Sequence, residues 1–198
     1  MSNEFEFSRR AFMAGVTATR AAFGAGQAAP AAATDTVDLA GAKWIWLPSQ
    51  RTLPSTFVLF RRTVEFDAAP RRAVVSIAAD SRYRLFVNGR RVQWGPAPCD
   101  PRWLDVDEAD ITPHLTAGAN AIGVEVLFYG VGEGTWPAGK PGLLVRCDCE
   151  SNEGKHTTVV SDDQWLALLD RAHPPGHYKR WFLRALQEQF DARAHPAG

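Results

Sequence analysis

Net charge is the first thing this sequence lacks: its 22 Lys and Arg are matched by 22 Asp and Glu. Without a net field, a polyanion such as nucleic acid or an acidic membrane surface is not a favoured partner. Long hydrophobic runs are missing too. No stretch approaches the roughly 20 apolar residues that a spanning helix needs, so no stable membrane span is expected. Cysteine is scarce, with only Cys99, Cys147 and Cys149. An odd number without zinc-like spacing excludes a disulfide framework and a structural zinc site. Alternation would put Cys147 and Cys149 on one face of a strand, as free, partly buried thiols. The G-x-S-x-G elbow, the H-E-x-x-H helix, the Walker loop and the nicotinamide fingerprint are all absent, and no cofactor is implied. What the chain does have is aromatic bulk, with 7 Trp and 11 Phe against 3 Tyr. Indole rings in that excess suit a β-sandwich core or a surface that stacks on flat apolar faces.

The first 33 residues read as an address rather than as fold. "MSNEFEFSRRAFMAGVTATRAAFGAGQAAPAAATD" runs from a polar head through a weakly apolar stretch to small residues, which is the order of an export signal. "SRRAFM" resembles the twin-arginine signal, with Ser8 before Arg9 and Arg10, then Phe12 and Met13. Arg20 interrupts the apolar region, at a cost in a bilayer. Cleavage after Ala33 is expected. The resemblance implies folding in the cytosol, passage through the twin-arginine export machinery, and a periplasmic or extracellular destination.

From Lys43 onward the chain breaks into short alternating or apolar runs. "WIWLP" reads as a strand start, "STFVLFRRTVEF" as a longer strand, and "AVVSIAAD" as a strand covered on both faces. In "RYRLFVNG" the residues Tyr83, Leu85 and Val87 share one face. Asn88-Gly89 then supplies two residues that tolerate positive φ, which predicts a hairpin returning through "RRVQWG". Thr112 before Pro113 predicts a cap on a single helical turn, with Asp110 making a side-chain turn ahead of it. "NAIGVEVLFYG" puts Ile122, Val124, Val126 and Phe128 on one side, and "LLVRCDCE" and "TTVVSDDQWLALL" follow as strands. The total is about eight strands without a long amphipathic helix, hence an all-β jelly-roll β-sandwich over 34–170. Residues 171–198 are read as a connecting segment or the start of a further domain. Within it, Arg180 to Phe190 fits a helix on spacing, or irregular chain leading to a strand at "QEQFDAR".

Candidate chemistry is sparse. The histidines His114, His156, His173, His177 and His195 fall in turns or loops, and the two prolines of "HPPGH" keep His173 and His177 off a common helix face. No metal is expected there. "DVDEAD" lacks the central glycine and distal glutamate of a calcium loop. Glu133, Asp100 and Glu125 are carboxylates of the kind glycoside hydrolysis needs in pairs, but nothing in the sequence pairs them. Trp94, Trp103 and Trp136 fall in or beside Pro- and Gly-rich loops. Packing into a corner of the sandwich is the first reading for Trp94 and Trp103, while Trp136 in its glycine loop is as well suited to a pyranose ring. The carbohydrate-binding candidates are therefore Trp136, Glu133, Trp103, Asp100 and Arg102, aromatics with hydrogen-bonding neighbours. No catalytic residue is assigned.

Taken together, "WIW", "FRRTVEF", "AADSRYRLFVNG", "WGPAPCDPRW", "DVDEADITPHLTAGANAIGVEVLFYG" and "QEQFDAR" resemble, in that order, the N-terminal galactose-binding-like β-sandwich region of bacterial alpha-L-rhamnosidases, over residues 43–198. The resemblance implies a parent glycoside hydrolase that removes terminal alpha-L-rhamnose by inversion, with its carboxylates in a helical toroid domain further downstream. None of that domain is present in these residues. The chain is thus expected to be a fragment, inert alone, that binds glycan weakly or buttresses a catalytic domain. A hydrolase in its own right and a purely structural packing domain remain the alternatives.

Overall fold

The computed structural model describes residues 37–132, 137, 139–176 and 189–196. The export signal read at 1–33 with Arg9 and Arg10, the site candidates Glu133 and Trp136, and the helix considered from Arg180 through residue 188 lie outside the described residues.

Nine strands are described: β1 (Thr56–Phe66), β2 (Arg72–Asp80), β3 (Arg82–Val87), β4 (Arg90–Gly95), β5 (Asp107–Asp110), β6 (Gly118–Phe128), β7 (Gly142–Glu150), β8 (His156–Val160) and β9 (Leu166–Leu169). They form two sheets, ordered β4-β3-β6-β1-β9 and β5-β2-β7-β8, with every pairing antiparallel. This is the all-β sandwich that the alternation predicts. No helix among the described residues is long and apolar enough to cross a membrane.

Alternation explains the core. β1 and β6 pair along their whole length, from Thr56 opposite Phe128 to Phe66 opposite Gly118. Val58 and Phe60 of β1, Ile122, Val124 and Val126 of β6, and Tyr83, Leu85 and Val87 of β3 all face inward and are buried. Val75 and Ile77 of β2 and Leu143 and Val145 of β7 meet them from the other sheet. Fully burying a side chain of this kind contributes about 1.5–3 kcal/mol, so the interleaved stripes are the main source of stability. The hairpin forms as expected, with Asn88 and Gly89 at φ +50 and +75. Its return strand carries one extra residue, because the register steps from Leu85 opposite Gln93 to Phe86 opposite Arg91.

Four local expectations are corrected. "WIWLP" contributes only an isolated bridge, Ile45 to Leu143, because Trp46 turns its ring toward Phe60 and Phe128 and its indole N–H donates to Thr52 Oγ1 at 3.0 Å. The run from His156 to Leu169 is two strands in different sheets, separated by a turn in which Asp162 Oδ1 accepts the Gln164 amide at 2.9 Å. Thr112 does not cap its 3₁₀ turn. Ile111 holds that position, and the Thr112 hydroxyl instead accepts the Ala73 amide at 2.8 Å. Around "QEQFDAR", residues Ala192–Ala194 form a second 3₁₀ turn rather than a strand. Asp110, by contrast, accepts the Thr112 amide at 2.9 Å as expected.

Candidate functional site

The polar chemistry that the fold gathers lies where β2 passes into β3. β2 is buried from Val75 to its end, and its last residue, Asp80, is only 3% exposed. Burying a carboxylate at the end of an apolar run is costly unless its oxygens are met. Ser81 Oγ donates to Asp80 Oδ1 at 2.7 Å and accepts the Tyr129 amide at 3.1 Å, while the Ser81 amide donates to Leu127 O at 3.0 Å. Among the described residues, Asp80 Oδ2 is buried without a hydrogen-bond partner. The Lys140 amide steadies the carboxylate but does not reach hydrogen-bond geometry on Oδ2. Desolvation outweighs the help from Ser81 and Lys140, so the Asp80 pKa is raised above its ordinary 3.8.

Two loops close over this carboxylate. Gly139 sits so near that any side chain there would collide with Asp80 Oδ2 and with Pro101. Pro101 belongs to the 96–106 loop, so Asp80, Gly139 and Pro101 mark the point where the loop after β4 meets the loop before β7. In the former, Arg102 clasps Asp100 through Nε to Oδ1 at 3.0 Å and Nη2 to Oδ2 at 2.6 Å, and the Trp103 amide donates to Asp100 O at 2.8 Å. The Arg102 hydrogen bonds hold the Asp100 pKa down, to about 2. Asp100 and Arg102 thus satisfy one another and brace the turn, and what the turn presents is Trp103, 79% exposed.

The sequence candidates separate accordingly. Asp100, Arg102 and Trp103 stand together on one loop. Packing is the wrong reading for Trp103 and for Trp94, which is 65% exposed with the Arg82 guanidinium 5.2 Å from its ring centre. Both belong to chain on the outside of the sandwich, where the core offers no slot. Glu125 lies elsewhere, on the outer face of the five-stranded sheet, paired with Arg84 at 3.1 Å. His173 is structural in its surroundings, stacked on Phe57 and bonded through Nδ1 to the fully buried Asp170 at 2.7 Å. His156 opens β8 rather than lying in a loop. Among the described residues no group of three or more His, Cys, Asp or Glu could hold a metal ion. Asp80 and Ser81 are the site residues that sequence reasoning missed. The available signal was an Asp-Ser pair ending an otherwise apolar strand.

Residues 68–197 match the family described as the alpha-L-rhamnosidase N-terminal domain. The chain belongs to that family. Its similarity to an alpha-L-rhamnosidase of Streptomyces avermitilis is 31% identity over 141 residues, 69% of this chain and 13% of that protein. A GH78 family rhamnosidase of Bacillus sp. GL1 is 31% identical with a TM-score of 0.59, covering 67% of this chain and 14% of that one. A Pleurotus ostreatus lectin solved in complex with GalNAc is 27% identical with a TM-score of 0.51, covering 67% of this chain and 36% of that one. This rhamnosidase N-terminal domain therefore spans only 13% to 14% of the two rhamnosidases.

Proposed function

We propose that this chain is a non-catalytic glycan-binding module of an exported alpha-L-rhamnosidase-type glycoside hydrolase, and that its glycan contacts lie at the loop end around Asp80. The observation that carries the reading is Trp103, 79% exposed on a turn that the Asp100–Arg102 pair braces beside Asp80. Asp80 Oδ2 is covered by Gly139 and Pro101, so its part is to hold the two loops together at this end and not to touch a ligand. Trp103, exposed on the adjoining loop, offers the apolar face on which a pyranose ring stacks. The likeness to a lectin solved with GalNAc supports binding as a use of this sandwich. Trp136 and Glu133, outside the described residues, remain part of the proposed contact set.

The test is a titration of the purified chain with L-rhamnose, followed by tryptophan fluorescence. A saturable change from which Trp103→Ala removes one component, in a protein whose far-ultraviolet circular dichroism is unchanged, supports the reading. No change at tens of millimolar sugar, on the order of ten times a millimolar Kd, refutes it. Turnover of a chromogenic rhamnoside by the same sample would instead establish a hydrolase in its own right.

The module also has a surface suited to supporting a larger enzyme. On edge strand β9, Leu166 and Leu168 are 71% and 53% exposed and flank a hollow over Gly123 and Phe86. A catalytic domain of a longer homologue is the partner proposed for that face. Export by the twin-arginine route to the periplasm or beyond is the accompanying proposal, and conversion of Arg9 and Arg10 to Lys should leave the protein in the cytoplasm.

A further inference from the structure

The two sheets do not close along one side. β9 is the edge of the five-stranded sheet, and on the facing sheet the pairing of β8 with β7 ends at Arg146, leaving Leu143 to bridge with Ile45. A cleft of about 350 Å³ opens between these edges, and its walls include Lys43, Trp44, Trp46, Asp162, Asp163 and Trp165. That volume is at the lower end of small-molecule sites, enough for a monosaccharide.

Its aromatic wall is fixed. The Trp44 ring lies against the bare backbone of Gly142, where an added Cβ would come within 2.6 Å of Cε3, yet the residue is 52% exposed. Trp46 and Trp165 have their indole N–H groups occupied internally, by Thr52 Oγ1 at 3.0 Å and by Val160 O at 2.8 Å. Trp165 is buried and Trp46 partly so; they back the exposed Trp44 plate and need no hydrogen bond from a ligand. The polar groups at the cleft are in the opposite condition. Asp162 uses Oδ1 for the Gln164 amide, while Asp163 and Lys43 are exposed and, among the described residues, their side chains have no partner.

We propose that this lateral cleft is a second saccharide site, taking a neutral pyranose with one face on Trp44 and its hydroxyls on Asp162, Asp163 and Lys43. A ring that is apolar on its C–H face and polar at its rim matches a fixed indole plate edged by donors and acceptors. Lys43 beside the two carboxylates offsets their charge, and a single exposed plate is not an aromatic cage. Both features favour a neutral polyol over an organic cation. The cleft shares no residue with the loop end at Asp80, and the inference does not rest on that site binding sugar.

The test uses the purified chain, ¹⁵N-labelled at its tryptophans, titrated with methyl alpha-L-rhamnopyranoside and separately with N-acetylgalactosamine. The indole signals of Trp44, Trp46 and Trp165 are expected to move together with one Kd on the order of a millimolar. Trp44→Ala should weaken that Kd at least tenfold. Asp163→Asn, an exposed and fold-neutral change, should weaken it severalfold. Trp103→Ala should leave it unaltered. If neither sugar moves these three signals in folded protein, or if Trp103→Ala abolishes their shifts, the lateral site is overturned. Loss of the loop-end response alone would count against that reading only.

Discussion

Tyr83 donates its phenolic hydroxyl to Asp107 Oδ2 at 2.6 Å, tying β3 of one sheet to β5 at the edge of the other. Tyr83 is 2% exposed, and burial together with the nearby carboxylate pushes its pKa far above the ordinary 10. The phenol therefore remains a donor at any working pH. Removing the hydroxyl with Tyr83→Phe strands a half-buried carboxylate, and the expected cost is about 1–3 kcal/mol in urea unfolding. Gly95→Ala should cost at least as much, because its methyl group would strike Asp107 Oδ2 and lie 3.0 Å from the Tyr83 hydroxyl. Equal stability of either variant and the parent would mean that the inter-sheet bond contributes nothing.

Asp80 gives the molecule a pH dependence of definite sign. Its folded pKa is raised above 3.8 by burial, so between 3.8 and that raised value the folded state holds more proton than the unfolded state. Stability from this group is present below the unfolded pKa and is lost as pH rises through the folded pKa. Asp80→Asn keeps the shape and removes the titration. The gap in unfolding free energy between Asp80→Asn and the parent should therefore move in favour of the variant as pH rises from about 3.5 to 7. A gap that is flat with pH, measured by urea unfolding at several pH values, would rule out a perturbed carboxylate here.

The Asn88 hairpin is anchored by a second asparagine. Asn88 Nδ2 donates to Asn120 Oδ1 and to His114 O, both at 2.9 Å, and Asn88 Oδ1 accepts the Ala121 amide at 2.9 Å. Asn120, 1% exposed, also donates to Thr116 O and Gly118 O and accepts the Thr116 amide. Every polar atom of this buried side chain is used. Asn120→Ala leaves several backbone groups unmet and should cost about 2–4 kcal/mol, at about 1–3 per stranded buried group with partial relief by water. Asn88→Ala, at an exposed turn, should cost less despite its positive φ. Thermal unfolding of the two variants side by side decides the order.

The strands that sequence periodicity predicts best are those whose environment is local. In β3 and β6 the buried face alternates without interruption, and Asn88-Gly89 carries its own turn geometry. "WIWLP" misleads because Trp46 is governed by Phe60 and Phe128, which come from distant strands. The split between β8 and β9 is signalled by "SDDQW", whose Asp162 turn sits inside an otherwise apolar run. Asp80 was illegible for a stronger reason. Its burial depends on Gly139 and Pro101, each brought in by a loop that no local pattern aims. Residue type alone points Trp94 and Trp103 to packing, but the core is filled by other side chains, and Trp94 on β4 and Trp103 in the loop after it stay outside it.

Cys147 and Cys149 lie on the inward face of β7 with their sulfurs 3.5 Å apart, both buried, while Cys99 in the loop after β4 is half-buried. The hydrogen bond between the two thiols and their desolvation push the Cys147 pKa well above the ordinary 9. The same hydrogen bond lowers the Cys149 pKa, but at 3% exposure Cys149 is closed to a bulky reagent by burial, as Cys147 is. Native protein should therefore react with a bulky aromatic disulfide reagent at Cys99 alone, at one equivalent, and at all 3 cysteines only in denaturant. Cys99→Ser should abolish the native reaction and leave two equivalents on unfolding. Rapid native labelling in Cys99→Ser would show that β7 opens to solvent far more readily than a central strand of the four-stranded sheet should, since its inward face is sealed by the core from both sheets.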